Sequence, residues 1–163
     1  MTQKVRQMVR AAVIGALYVV LTHLQNLIFP NSASMAIQFR ASEALCVLAF
    51  FTPAAIPGLT VGCLLFNLTF IGSLPLYFLV GTLATLGDTA SMRLLGRLPF
   101  LGLLMPALWN AFLVGWELSV YIGGGFWLNA LYVAIGEAAV LLTLGTALYY
   151  ALKTRNLHTR LFS

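Results

Sequence analysis

Charged residues are scarce in this sequence. Only 8% of the 163 residues are Asp, Glu, Lys or Arg, and 61% are hydrophobic, whereas a soluble domain carries about 25% charged and 45–50% apolar residues. No charge stands between Arg10 and Arg40 or between Glu43 and Asp88, and each of these stretches is long enough for one or two membrane spans. A soluble fold could not bury this much apolar surface, so the composition predicts an all-α integral membrane protein.

Motifs for catalysis and for metal binding are also missing. There is no GxxxxGK[ST], so the chain has no ATPase site of its own, and there is no HExxH or CxxC. The two cysteines, Cys46 and Cys63, stand in apolar runs, where they are expected to act as small packing residues. We therefore predict no catalytic residue, no metal and no cofactor. The net charge of +5 is attributed to membrane topology rather than to a nucleic-acid partner, because the basic residues cluster beside the spans.

We predict six transmembrane helices within one domain, residues 1–163, with both termini in the cytoplasm. The uncertain point is the segment 52–58, TPAAIPG, because a mere kink there would merge spans two and three and leave five. Six spans place eight basic residues inside and only Arg40 outside, whereas five place three inside and six outside, against the positive-inside rule. The six predicted spans of the cell membrane are 8–29, 41–54, 55–72, 75–94, 99–121 and 126–152.

Ionisable and amide side chains in these spans fall mainly in the outer half or near the midplane. Ionised groups there cost about 2.5–3.5 kcal/mol each on insertion scales, so they usually face a cavity or a partner. We predict a substrate-binding site made of Gln38, Arg40 and Glu43 at the outer end of span two, Asn67 in span three, Trp109, Asn110, Trp116 and Glu117 in span five, and Asn129 and Glu137 in span six.

Span five carries the clearest pattern. Asn110 and Glu117 are seven residues apart, which places them on one helix face within about 20°. Trp109 and Trp116 repeat this spacing on an adjacent stripe. A carboxylate, an amide and an indole could thus line one pocket that opens outward.

Structural roles remain open for several of these residues. Trp116 could belong to the interfacial aromatic belt. Arg40 and Glu43 are one turn apart and could form a structural ion pair. Asp88 lies near Arg93 and the basic loop, which favours a structural role over a role in the site.

Small residues recur at four-residue spacing in span one. Ala11 and Gly15 form one pair, and Ala12 and Ala16 form another. Such pairs let a second helix approach closely. The approaching helix could belong to the same chain or to a partner membrane subunit.

Several segments resemble a known family. Residues 37–45, IQFRASEAL, resemble the FRxSEAL signature of queuosine-precursor transporters of the QueT type. The similarity covers about residues 8–150 in one order and register. It continues through FTPAAIPGL at 51–59, VGCL at 61–64, GTLAT at 81–85, WNA at 109–111, GWEL at 115–118 and GE at 136–137.

That resemblance implies the substrate-binding S component of an energy-coupling-factor transporter. It implies six helices with cytoplasmic termini, capture of a substrate from outside, and work with a transmembrane coupling subunit and two ATPases. In such components a small-residue pair on span one docks the coupling subunit, and Ala12 and Ala16 fit that pattern. The chain departs from the family at Tyr77, where relatives often have an aspartate four residues before GxLAT.

The implied ligand is a 7-deazaguanine, whose guanine-like edge offers two N–H donors beside a carbonyl. In this interpretation Glu117 accepts from the donors, Asn110 donates to the carbonyl, and Trp116 stacks on the ring. Glu43 or Glu137 would balance an exocyclic ammonium if the ligand carries one. The alternatives are an S component for another small nutrient, a small intramembrane enzyme, and a purely structural subunit.

Overall fold

The computed structural model describes residues 2–30, 39–69 and 76–162, and these ranges are helical with no strand. Six principal helices are present, as predicted, and a short C-terminal helix follows them. The elements are α1 (Gln3–Ile28), a 3-10 helix (Ala41–Phe50), α2 (Ala55–Leu68), α3 (Tyr77–Leu94), α4 (Pro99–Tyr121), and the continuous run of α5 (Phe126–Val140), a π-helical turn (Leu141–Gly145) and α6 (Thr146–Thr154), then α7 (Leu157–Phe162).

The 3-10 helix lies at the centre of the bundle. It packs against α1, α2, α3, α4, α5, the π-helical turn and α6, while the α-helices from α1 to α5 pack mainly against their neighbours in sequence. Its sequence explains this position, because a helix that is apolar on every side must be buried on every side. Cys46, Val47 and Ala49 are fully buried.

The 3-10 conformation differs from the α-helix expected over 41–54. A 3-10 helix rises about 2.0 Å per residue against 1.5 Å for an α-helix, so ten residues extend about 20 Å instead of 15 Å. Side chains three residues apart eclipse one another in this conformation. Glu43, Cys46 and Ala49 therefore form one row, and all three are buried.

The turn after the 3-10 helix separates it from α2. The Thr52 amide donates to the Leu48 carbonyl at 2.9 Å, and the Ala54 amide donates to Thr52 Oγ1 at 3.3 Å. These bonds satisfy backbone groups at a helix end and a helix start. The segment is thus a true turn, which confirms the count of six principal helices over five.

α1 and α2 approach each other closely through glycines. A Cβ atom at Gly58 would lie 2.6 Å from the Ala11 carbonyl oxygen, and one at Gly15 would lie 2.7 Å from the Gly58 carbonyl oxygen. At either distance a side-chain carbon would overlap the backbone oxygen. The pair Ala11 and Gly15 therefore serves packing within the chain.

Within the described ranges, three helices are long and apolar enough to cross a membrane: Gln3–Ile28, Pro99–Tyr121 and Phe126–Thr154. Ala41–Phe50 and Ala55–Leu68 are shorter apolar helices. The outer faces of the bundle carry many exposed large hydrophobic side chains, among them Val20, Leu24 and Leu131. A soluble monomer rarely exposes so continuous an apolar surface, so these faces fit lipid.

Candidate functional site

Polar side chains are concentrated inside the bundle, where every principal helix contributes at least one. They form two layers at different depths. Depth is measured from the end of the bundle at which α4 joins α5, which is called here the α4–α5 end. The end layer contains Asn67, Glu117 and Asn129, and the middle layer contains Tyr18, Glu43, Asp88, Asn110 and Glu137.

Helix geometry sets the depth of the middle layer. Asp88 is the twelfth residue of α3, Glu137 is the twelfth of α5, and Asn110 is the twelfth from the C-terminal end of α4. Because α3, α4 and α5 are antiparallel neighbours, these side chains lie at one level. At 1.5 Å per residue that level is about 16 Å from the α4–α5 end.

Glu43 is the middle-layer acid with the most hydrogen bonds. Its Oε1 accepts from the Tyr18 hydroxyl at 2.5 Å, and its Oε2 accepts from Cys46 Sγ at 3.2 Å. One ligand atom from each of Glu43, Cys46 and Asp88 lies within 4.8 Å of the others. Two carboxylates and a thiol are a donor set that accepts positive charge, so this group could hold a small cation.

Asp88 has no hydrogen-bond partner for either carboxylate oxygen among the described residues, and it is completely buried. The sequence favoured a structural role beside Arg93. The structure differs, because the Arg93 guanidinium donates to the Phe50 carbonyl at 3.0 Å and to the Ala49 carbonyl at 3.4 Å. Asp88 instead lies within electrostatic reach of Glu43 and Glu137.

Sequence reasoning did not place Asp88 in the polar cluster of the interior, although a signal was present. Thr82, Thr85, Asp88 and Thr89 recur at three- and four-residue spacing, which places them on one face of α3. All four are buried. A polar face on a helix in an apolar chain indicates a polar interior, and that pattern could have identified this aspartate.

The end layer contains a second unpaired acid. Neither carboxylate oxygen of Glu117 has a hydrogen-bond partner in the described part of the chain, and the residue is 0% exposed. Arg40 is buried, lies within electrostatic reach of Glu117 and Glu137, and places its guanidinium 5.9 Å from the centre of the Phe66 ring. This arginine therefore links the two layers.

The asparagines of the two layers, Asn67, Asn110 and Asn129, differ in the hydrogen-bonding groups they leave available. Asn110 Nδ2 donates to the Pro106 carbonyl at 3.0 Å, and Asn129 Nδ2 donates to the Gly123 carbonyl at 2.7 Å. Asn67 Nδ2 donates to Cys63 Sγ at 3.3 Å, while its Oδ1 is buried with no partner among the residues described. Asn67 thus offers an unused buried acceptor.

The bond from Asn129 also shapes the bundle end. Gly123, Gly124 and Gly125 all have positive φ, at 92°, 86° and 80°, a region that only glycine enters without strain. This run turns the chain sharply from α4 into α5.

Asn110 and Glu117 both face the interior, as their spacing predicts. The two tryptophans beside them do not join this cluster, because successive residues of a helix point about 100° apart. Trp116 is 47% exposed and Trp109 is 39% exposed. The Trp109 indole donates to Ser91 Oγ at 3.0 Å and packs on Gly87, where a Cβ atom would lie 2.7 Å from the ring. Gln38 lies outside the described residues.

These features define a helical membrane protein whose interior carries buried, unpaired acids suited to binding a small polar molecule. The chain matches the model of the QueT transporter family over residues 8–154 and belongs to that family. It is therefore a membrane transport protein, and the family match confirms the resemblance found in its motifs. Neither the curated proteins nor the solved structures gave a match.

Proposed function

We propose that this chain is the substrate-binding S component of an ATP-driven energy-coupling-factor importer. It captures a 7-deazaguanine queuosine precursor from outside the cell. The observation that supports this most directly is Glu117, whose carboxylate is fully buried with both oxygens free of hydrogen bonds among the described residues. A buried acceptor without a partner costs about 1–3 kcal/mol, and more when it is charged. A ligand with paired N–H donors would satisfy it.

The groups around Glu117 complement a guanine-like edge. The ligand's two adjacent N–H groups would donate to the Glu117 oxygens. Its carbonyl would accept from Arg40, which has five N–H donors, or from the second N–H of the Asn110 amide, since only one is needed for Pro106. We leave Trp109 and Trp116 out of the proposed contacts because the Trp109 indole packs against α3 and the Trp116 side chain is exposed.

The orientation follows from the distribution of basic residues. With both termini in the cytoplasm, the α4–α5 end faces outward and the end layer meets the arriving substrate first. The basic residues of the α3–α4 connection and of the C-terminal region then face the cytoplasm, as the positive-inside rule requires. Arg40 is the exception, and its burial among acids explains its position.

In this proposal a partner subunit supplies the energy, since no nucleotide-binding motif occurs in the sequence. Ala12 and Ala16 are exposed, whereas Gly15 is buried against α2. The alanines border a groove of about 400 Å³ between α1 and α2. We assign this groove to the transmembrane coupling subunit, which would carry two ATPases, because small residues on a helix face permit close packing of another helix.

Binding by the purified chain tests the ligand assignment. Mass spectrometry identifies any small molecule that co-purifies, and calorimetry then compares 7-deazaguanines with adenine, which lacks a ring N–H beside a carbonyl. We expect a 7-deazaguanine to bind and adenine not to bind. Co-purification of a different nutrient, with no binding of any deazaguanine, would favour an S component of other specificity.

A further inference from the structure

The central 3-10 helix is unusually long. It covers ten residues, Ala41–Phe50, whereas 3-10 runs of more than three or four residues are uncommon because their hydrogen-bond geometry is poorer than that of an α-helix. The same residues in an α-helix would be about 5 Å shorter, since the rise falls from about 2.0 Å to 1.5 Å per residue. Contacts from outside the helix must therefore favour the extended form.

A side chain of α1 holds the N-terminal end of the 3-10 helix. Gln25 Oε1 accepts from the Ala41 backbone N–H at 2.6 Å, and Gln25 Nε2 donates to the Phe39 carbonyl. Nearly one turn earlier in α1, the Thr22 hydroxyl donates to Ser42 Oγ at 2.6 Å. The first N–H groups of a helix have no partner within it, so Gln25 satisfies one of them and fixes this end to α1.

A side chain of α3 holds the opposite end. The Arg93 guanidinium bridges two backbone carbonyls, those of Phe50 at 3.0 Å and Ala49 at 3.4 Å. The last carbonyls of a helix have no partner within it and carry a partial negative charge, so a cation with several N–H donors is well suited to bind them. The two ends of the 3-10 helix are thus fixed to two different α-helices.

We propose that Gln25 and Arg93 are positioning residues, which keep the central helix in its 3-10 form and thereby hold Glu43 in the polar interior. Successive side chains turn by about 120° in a 3-10 helix and by about 100° in an α-helix. From Phe50 back to Glu43 the difference adds up to about 140°. Relaxation to an α-helix would therefore turn Glu43 away from the hydroxyl of Tyr18, which donates to it. The consequence for substrate binding rests on the proposed function, whereas the effect on the helix does not.

The two native cysteines report separately on this helix and on its surroundings. Cys46 lies in the 3-10 helix and Cys63 lies in α2, and both are free and fully buried. A buried thiol reacts with an alkylating reagent when its segment opens, so the rate follows the population of the open form. Mass spectrometry of the solubilised protein treated with N-ethylmaleimide measures the rate at each cysteine.

We expect Arg93→Met to raise the rate at Cys46 by about tenfold or more, as for the loss of hydrogen bonds made by a charged group. The rate at Cys63 should not change, because α2 is not held by this arginine. Arg97→Met is the matched control. It removes the same charge from an exposed position in the connection between α3 and α4, and it should leave both rates at the wild-type values.

Two results would overturn the proposal. Equal acceleration at Cys46 and Cys63 would mean that Arg93 stabilises the bundle in general, and an unchanged rate at Cys46 would mean that Arg93 does not hold the helix. If Arg93→Met does not fold, Gln25→Leu releases the other end of the helix. The absence of a selective rise at Cys46 in that variant would overturn the proposal equally.

Ligand binding tests the link between the helix and the substrate site. Calorimetry with 7-deazaguanine as the probe should give an affinity about tenfold lower for Arg93→Met than for the wild type, and the wild-type affinity for Arg97→Met. A selective rise at Cys46 together with wild-type affinity would overturn the role of Arg93 in positioning Glu43 for the substrate. Failure of the wild type to bind any 7-deazaguanine would reject the proposed function, and the cysteine rates would still decide whether the two residues hold the helix.

Discussion

The Tyr18 hydroxyl donates a hydrogen bond of 2.5 Å to Glu43 Oε1 and so joins the middle of α1 to the central 3-10 helix. Both residues are buried, and 25 positions separate them in sequence. The bond fixes the position of the acid around which the middle layer is arranged. A buried carboxylate that loses a donor is left partly unsatisfied, so this contact has a measurable consequence.

Tyr18→Phe keeps the ring and removes the donor. We expect this variant to be less stable than the wild type by about 1–3 kcal/mol, the usual cost of leaving a buried hydrogen-bonding group unsatisfied. Thermal unfolding of the detergent-solubilised protein measures the effect. Tyr150→Phe is the matched control, because Tyr150 is largely exposed. Equal melting temperatures for the two variants would show that the bond to Glu43 does not stabilise the fold.

The number of helices could be predicted because it depends on features that a sequence shows directly. Long uncharged stretches set the spans, and the basic residues separated six spans from five. The 3-10 conformation could not be predicted from residues 44–51. All of them are apolar or small, with Cys46 the most polar, so a period of three residues does not stand out from the α-helical period of 3.6.

The candidate site was predicted only in part, for a related reason. Sequence spacing gives the depth of a residue in its helix and its rotation relative to neighbours in that helix. It does not give the rotation of one helix against another. Asn110 and Glu117 share a face by spacing alone, whereas the encounter of Asp88 with Glu43 depends on how α3 packs on the 3-10 helix. Trp116 lies outside the cluster for a different reason, because it points about 100° away from its neighbour Glu117 on α4.

The close contact of α1 with α2 predicts a stability effect. Gly58→Ala would place a methyl group 2.6 Å from the Ala11 carbonyl oxygen, and relieving such an overlap between backbones typically costs about 1–3 kcal/mol. Gly145→Ala is the control, since the nearest atom there is a flexible Leu141 carbon at 3.3 Å. We expect thermal unfolding to show a loss of stability for the first variant alone. Equal effects would mean that α1 and α2 separate without cost.

The proposed orientation predicts where introduced cysteines react. Thr69 follows α2 at the α4–α5 end, and Arg97 lies in the connection between α3 and α4 at the opposite end; both are exposed. In intact cells a membrane-impermeant thiol reagent should label Thr69→Cys and should label Arg97→Cys only after permeabilisation. The native Cys46 and Cys63 are buried, so the background should be low. Labelling of Arg97→Cys in intact cells would contradict the proposed orientation and indicate the opposite one.

The exposed alanines of α1 predict a loss of transport without a loss of binding. Ala12→Trp and Ala16→Trp should block close approach of the coupling subunit and abolish ATP-dependent uptake in cells that contain the whole transporter. Calorimetry on the isolated variants should give the wild-type affinity, because neither side chain faces the interior. Val13→Trp is the control, since Val13 is exposed but does not line the groove. Normal uptake by a protein with both alanines replaced would exclude this groove as the docking surface.

Glu117 carries the proposed recognition of the substrate edge, and Glu117→Gln tests it with little change in volume. The substitution replaces one acceptor oxygen with an NH2 group, which would face the ligand's own N–H donors or force the amide to turn and lose a bond. Because a lost bond at a buried charged group costs about 1.5–3 kcal/mol, affinity should fall by about ten- to a hundredfold. The loss should be similar for every 7-deazaguanine that binds, since all of them present the same N–H edge. The fold should not be destabilised, because no described residue donates a hydrogen bond to the Glu117 carboxylate and the variant removes a buried charge. The affinity measured by calorimetry should therefore fall while the melting temperature does not. Trp116→Phe, at the adjacent exposed position, is the control and should change neither quantity. Wild-type affinity in Glu117→Gln would exclude this carboxylate from the binding site.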